Sequence, residues 1–341
     1  MQSFFWRKIV DIFINKKIWR QFTEEQTKEY VNNVFKYYRQ HGFPYYPTDK
    51  ITRDKNFNKF ITYNGVVLEN KKLKQTMHGL NLAWSYFPHM WEIQCNGLKT
   101  PMDLFNDDET LKAVISKRMR MGDNMSDAGL RKMLKIYTGT QCVSNFRPTS
   151  AKALYDEFAH DGVVYDMCCG FGGRLLGFIG SKAKTYIGTE PSSKTFEGLN
   201  NLKQDYGSNK DIQLYKCGSE DFTFQKDNSV DFCFTSPPYF DCEHYSDEDT
   251  QSYVKFNTKE TWINGYLKQT FDNCYKMLKP NKFMAINIAN VKSFKDLEEH
   301  TIQTAIRTGF EYVDKYYYCL SSLSHKSDFK YEPVFLFKKI L

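Results

Sequence analysis

The apolar run Val230-Asp231-Phe232-Cys233-Phe234 stops at Thr235-Ser236-Pro237-Pro238-Tyr239-Phe240, and no other stretch constrains the fold as much. Such a run reads as a buried strand. Two consecutive prolines cannot continue it within a sheet, because neither has an N–H to give to the ladder. The hexapeptide must leave as a stiff extended segment at the carboxyl edge, where open α/β sheets bind ligands. The Ser236 hydroxyl and a neighbouring proline carbonyl can both accept from one amino group, and Tyr239 offers a flat face to a planar base. Taken alone, a Pro-Pro-aromatic triplet is equally a plain turn that closes a strand.

From about residue 140 onward strands and helices alternate. The pattern predicts a helix over 148–160 with Thr149 or Ser150 as its cap, a strand over 162–166, and a glycine-rich loop opening a helix at Leu175. A strand at 185–189, a helix at 194–206 and a strand at 212–217 come next. After the Ser-Pro-Pro-Tyr element follow a helix over 261–278, a strand over 283–288, a helix over 295–308, and strands over 310–320 and 334–338. This order calls for a mostly parallel sheet with helices on both faces.

The preceding residues, 1–140, read as a mainly helical domain. Asp107-Asp108-Glu109 lead one helix and Lys117, Arg118 and Arg120 end it, which complements the helix dipole. A second helix over 127–137 carries Arg131, Lys132 and Lys135. These two basic clusters are candidates for phosphate contacts, or else solvated helix faces. A hairpin is expected at 62–68 around Asn64-Gly65. The aromatic segment with Trp84, Tyr86, Phe87 and Trp91 reads as core packing rather than a base-stacking surface.

Residues 1–150 hold 24 Lys and Arg against 14 Asp and Glu, whereas the remainder holds 23 against 26. A basic first part joined to a near-neutral second part suits a polyanion partner. Nine cysteines are dispersed without a Cys-x-x-Cys pair, and seven histidines are equally scattered. A metal site is therefore not expected, and reduced thiols in a cytoplasmic protein are the default. No apolar run approaches the roughly 18 residues of a membrane span. The apolar start, residues 4–10, is broken by charge and reads as a packing helix, not a signal peptide.

Three features meet at one sheet edge. Gly170, Gly172 and Gly173 allow close backbone approach to a ligand. Glu190 ends the second strand of the alternating part, 24 residues after Asp166, where an acid can take both ribose hydroxyls of an adenosine ligand. These two features fit a nicotinamide cofactor or S-adenosylmethionine alike. The third, Ser236-Pro237-Pro238-Tyr239, has no evident use in a nicotinamide enzyme.

Asp166-Met-Cys-Cys-Gly-Phe-Gly-Gly-Arg174 followed by Thr235-Ser-Pro-Pro-Tyr-Phe240 resembles the S-adenosylmethionine-dependent DNA methyltransferases that modify exocyclic amines, as in phage and bacterial restriction-modification. Val143-Ser-Asn-Phe-Arg-Pro148, Gly218-Ser-Glu-Asp-Phe222 and Lys330-Tyr-Glu-Pro-Val-Phe-Leu-Phe-Lys338 are similar to further motifs of that family, in the family's order. The resemblance implies a class I methyltransferase fold, Rossmann-like, with seven strands and one antiparallel insertion. It implies a catalytic domain over 141–341, with 1–140 left to recognise DNA. S-adenosylmethionine would be held by Phe146, Arg147, Pro148, Asp166, Cys168, Gly170, Gly172, Glu190, Ser219 and Glu220. Ser236, Pro237, Pro238 and Tyr239 would act on a base flipped from the duplex. No metal and no covalent intermediate are implied. Cys233 and Cys242 read as packing residues, and no Pro-Cys nucleophile of the cytosine-C5 type is present. Ser at the first position of the element favours cytosine N4 over adenine N6. The insertion at 241–249 is expected to be a mobile cover whose His244 or Tyr245 touches the base, or else a solvated acidic loop. An RNA base-amine methyltransferase and a non-catalytic nucleic-acid-binding protein on the same fold are the alternatives. A partner nuclease is not readable.

Overall fold

The computed structural model describes residues 12–223, 226–320 and 329–340; the packing helix expected at 4–10 lies outside them. Two compact units divide the chain. One joins the residues up to Tyr46 with Pro88–Val143, and the other joins Pro47–Phe87 with Ser144 and all that follows. A division at residue 140 assigns 47–87 to the first part, but this segment packs with the sheet. The charge follows it: of the basic excess before residue 150, the first unit holds 16 Lys and Arg against 11 Asp and Glu, and 47–87 holds 7 against 3.

The first unit is helical. Glu24–His41 begins with a capping box between Thr23 and Gln26 and buries Tyr30, Val31, Val34 and Tyr38. Asp107 caps Asp108–Arg120, which has acids in its first turn and bases in its last. The third main helix is Asp127–Ile136. Two of the basic residues offered for phosphate contacts are internal. Arg118 is 8% exposed and bonds Asp123 at 2.7 Å and the Asn124 carbonyl at 3.1 Å. Arg131 is equally buried, donates to the Pro44 carbonyl at 2.8 Å and lies over the Tyr46 ring. Arg120 and Lys132 remain exposed.

In the second unit the strands of the main sheet are β1 (Leu68–Glu69), β2 (Lys72–Leu73), β3 (Val163–Asp166), β4 (Thr185–Thr189), β5 (Asp211–Tyr215), β6 (Val230–Thr235), β7 (Leu278–Asn287), β8 (Phe310–Cys319) and β9 (Tyr331–Lys339). Their order is β1-β2-β8-β9-β7-β6-β3-β4-β5. From β7 to β5 all pairs are parallel, and β9 runs antiparallel between β7 and β8. The sheet has nine strands, not seven. The extra pair is a hairpin that turns at Asn70-Lys71, both with positive φ, rather than at Asn64-Gly65, and β2 adds parallel to β8.

All six residues of β6 are buried. Phe232 and Phe234 point to one face, where Tyr155 and Phe158 of the helix Pro148–Phe158 pack on them. Cys233 points to the other face, into a cluster with Tyr165, Phe271, Cys274 and Met284. Pro148 is the first residue of its helix and Arg147 the cap position; Thr149 and Ser150 lie inside it and bond Thr76 and the Lys74 carbonyl. The helix expected at 261–278 is broken into Lys259–Thr261, a π-helical turn Trp262–Leu267, and Lys268–Met277. Trp84, Tyr86, Phe87 and Trp91 are buried, as their core reading requires. No described helix is long and apolar enough to cross a membrane.

Candidate active site

Because β3, β4, β5 and β6 are parallel neighbours, the loops that follow them emerge at one edge. The loop after β3 lies between those of β4 and β6. Asp166 ends β3 with no exposed surface and organises the edge. Its Oδ2 accepts from Arg174 Nε at 2.9 Å and the Tyr186 hydroxyl at 2.7 Å. Its Oδ1 accepts from the Thr235 hydroxyl at 2.9 Å and Cys168 N at 3.3 Å. Every acceptor position of this carboxylate is used by protein, so its part is to lock the loop. Thr235 carries the lock across, since Cys168 N also donates to its Oγ1 at 3.1 Å. The residue before the Ser-Pro-Pro-Tyr element is thereby joined to the glycine-rich loop. Burial pushes the Cys168 thiol up to about 12, leaving it a weak nucleophile at neutral pH. Cys233 and Cys242 are both buried, as packing residues are.

The three glycines do different things. Gly170 has φ 54°, and a side-chain carbon there meets nothing closer than 3.8 Å, so its face is open to a ligand. At Gly172, with φ 69°, such a carbon meets Leu202 at 2.9 Å and Phe87 at 3.0 Å. At Gly173 it collides with the Phe146 carbonyl. Only the first glycine faces ligand space, while the other two permit close packing. The Phe146 carbonyl and the Asn145 side chain are the neighbours at Gly173, with Asn145 Nδ2 donating to the Phe171 carbonyl at 2.8 Å. The side chains beside it turn elsewhere: Phe146 stacks on Tyr318, and Arg147 Nε donates to Gln75.

Glu190 follows β4 and is 7% exposed. It accepts from Gly170 N and from Ser192 N, each at 3.0 Å. Burial pushes its carboxyl up to about 7, against these two N–H groups, which favour the charged form. A raised native value means that the folded chain holds a proton the unfolded chain has released. The associated stability is full below the ordinary carboxyl value of 4.5 and is lost as pH rises through about 7. In urea titrations at pH 5 and pH 8, Glu190→Gln is expected to gain on the wild type at the higher pH; an equal difference at both places the titration elsewhere.

After β5, Ser219 Oγ is 2.7 Å from Thr270 Oγ1. Glu220 is 7% exposed; its Oε1 accepts from Lys255 Nζ at 2.8 Å, and its buried Oε2 has no hydrogen-bond partner among the described residues. After β6, Pro237 is buried and Ser236 and Tyr239 are half-buried. The Tyr239 hydroxyl donates to Glu332 Oε2 at 3.2 Å and to the Asn287 carbonyl at 3.4 Å, with the Ser236 side chain as a further neighbour. Burial raises the proton affinity of Glu332, opposed by Tyr239 and Asn287. Nothing in the sequence marks Glu332 beyond its place in the closing hairpin.

The acidic insertion at 241–249 is anchored. Ser293 Oγ donates to Asp241 at 2.7 Å, and Glu248 accepts from Ser193 N at 3.1 Å and Ser193 Oγ at 2.9 Å. Between these ties, Tyr245 bonds Glu243 and lies beside Phe171, and His244 lies against Tyr253.

No protein-family model and no curated protein matches this sequence. Among solved structures, the cyclase SpnF is 12% identical, with a TM-score of 0.42 over 58% of this chain and 84% of that one. An S-adenosylmethionine-dependent O-methyltransferase from Thermotoga maritima is 10% identical, with a TM-score of 0.38 over 58% and 68%. An S-adenosylmethionine-dependent methyltransferase from Methanosarcina mazei is 13% identical, with a TM-score of 0.39 over 55% and 97%. At such scores none of them bears on what this chain acts upon.

Proposed function

We propose that the chain transfers a methyl group from S-adenosylmethionine to the exocyclic amine of a base in DNA, cytosine N4 ahead of adenine N6. The observation that carries this is the bond of Thr235 to both Asp166 and Cys168 N, which ties the Ser-Pro-Pro-Tyr element to the glycine-rich loop. The residues fit the cofactor. Gly170 is open, Glu190 is an acid beside it, and Glu220 Oε2 is a buried acceptor that lacks a donor. Glu190 would accept from ribose hydroxyls and Glu220 from the adenine amino group. When bound, S-adenosylmethionine supplies an activated methyl on a sulfonium leaving group.

The chain's own task is to prepare the amine. A base amine is conjugated with its ring and is a weak nucleophile. Ser236 Oγ and the Pro237 carbonyl accept its two N–H groups, which turns the nitrogen lone pair out of the ring plane and holds it in one orientation. As the new N–C bond forms, the nitrogen must lose a proton. Ser236 Oγ takes it while passing its own to the Tyr239 oxygen, and Tyr239 passes its proton to Glu332 Oε2. The preference for DNA rests on the sequence resemblance, with half-buried Lys117 and Lys135 and exposed Arg120 and Lys132 as the remaining candidates for backbone contacts of the first unit.

The test is incorporation of labelled methyl into duplex DNA, single-stranded DNA and transfer RNA by the full chain. Label in DNA is expected. Label in RNA alone assigns the protein to RNA bases, and label in none of the three overturns the proposal.

A further inference from the structure

We propose that Gln251 and Glu220 together read the Watson–Crick edge of the cofactor's adenine, and that Gln251 makes the pocket select adenine over hypoxanthine. This rests on the S-adenosylmethionine reading above. Gln251 is 4% exposed, and its Nε2 is buried without a hydrogen-bond partner among the described residues, as is Glu220 Oε2. One is a donor and the other an acceptor, and they do not bond each other. A buried polar group left unpaired destabilises the fold unless a ligand completes it.

Chain connectivity brings the two together. Gln251 is the cap residue of the short helix Ser252–Lys255, and Lys255 N donates to its carbonyl at 3.0 Å. Lys255, the last residue of this helix, reaches the other oxygen of Glu220 at 2.8 Å. On the opposite side, Gln251 N donates to the Glu248 carbonyl, Glu248 holds Ser193, and Thr250 Oγ1 donates to the Pro191 carbonyl. Gln251 thus stands between the segment that follows Glu190 and the loop of Glu220. A nucleoside with its ribose at Glu190 and its amino group at Glu220 turns the same ring edge toward Gln251. Adenine presents there an N6–H donor beside the N1 acceptor, the complement of a carboxylate oxygen beside an amide N–H. Hypoxanthine presents the reverse, an O6 acceptor beside an N1–H donor.

The test is calorimetric titration of the full chain with S-adenosylhomocysteine and S-inosylhomocysteine. The wild type is expected to favour the adenine compound. Gln251→Met, of similar size, should weaken S-adenosylhomocysteine binding about 10- to 100-fold and narrow its lead over the inosine compound, leaving only the discrimination by Glu220. Its ligand-free melting temperature should equal or exceed the wild type's, because an unpaired buried amide has been removed. Gln251→Glu places an acceptor opposite N1 and should weaken the adenine compound more than the inosine compound. If both variants keep wild-type affinity and preference, Gln251 does not read the base. If the wild type binds neither compound, the S-adenosylmethionine reading itself fails, and the role of Gln251 with it.

Discussion

Ser236→Ala and Tyr239→Ala are each expected to lower single-turnover methyl transfer by about 10²- to 10³-fold, the size of effect seen when one preorganised hydrogen-bonding group is lost from an active site. S-adenosylhomocysteine binding should stay within a few-fold of wild type, because neither side chain belongs to the pocket formed by Gly170, Glu190 and Glu220. The two variants fail for different reasons. Loss of Ser236 removes an acceptor from the amine and the first step of the proton's path. Loss of Tyr239 removes both the ring and the link to Glu332 Oε2, 3.2 Å from its hydroxyl. Tyr239→Phe keeps the ring and breaks only the link, so it should fall between wild type and Tyr239→Ala. Equal activity of Tyr239→Phe and wild type would remove Glu332 from the proton's path.

Asp166→Ala should produce the largest loss of stability. Arg174 is 5% exposed and Asp166 is fully buried. Removing the carboxylate leaves a buried guanidinium without its counter-charge, and also takes the carboxylate acceptor from the Tyr186 and Thr235 hydroxyls. Breaking one side of a buried pair costs about 3–5 kcal/mol. For a unit of this size that lowers the melting temperature by about 10 °C. Asp166→Ala with Arg174→Met removes both charges and should recover part of the loss. A double variant no better than the single one would show that the charge of Arg174 is not what the Asp166 carboxylate balances.

The sheet could be read from the sequence wherever the signal was local. Strand β4 has the bounds its apolar run predicts, and β6 ends where two prolines forbid it to continue. The Asp108–Arg120 helix likewise has its acids first and bases last. What could not be read was long-range. Arg131 looks like a surface charge on its helix, but its partner is a carbonyl 87 residues away. The β1–β2 hairpin consists of two-residue strands, too short for an alternating pattern, and exists because the edge of β8 accepts it. In the site, the motif residues lie on loops that share one sheet edge, but the motifs do not say which atoms turn toward that edge. The side chain of Asp166 is consumed by the protein, and two of the three glycines serve packing. Gln251 lies in no motif and is marked only by being buried without a partner.

The most direct measurement is mass spectrometry of nucleosides from duplex DNA incubated with the chain and methyl-deuterated S-adenosylmethionine. A deuterated methyl on an exocyclic nitrogen, cytosine N4 before adenine N6, is the predicted product. Label at cytosine C5, or a complete absence of labelled nucleoside from protein that binds S-adenosylhomocysteine, would contradict the assignment of Ser236 and Pro237 as acceptors for a base amine.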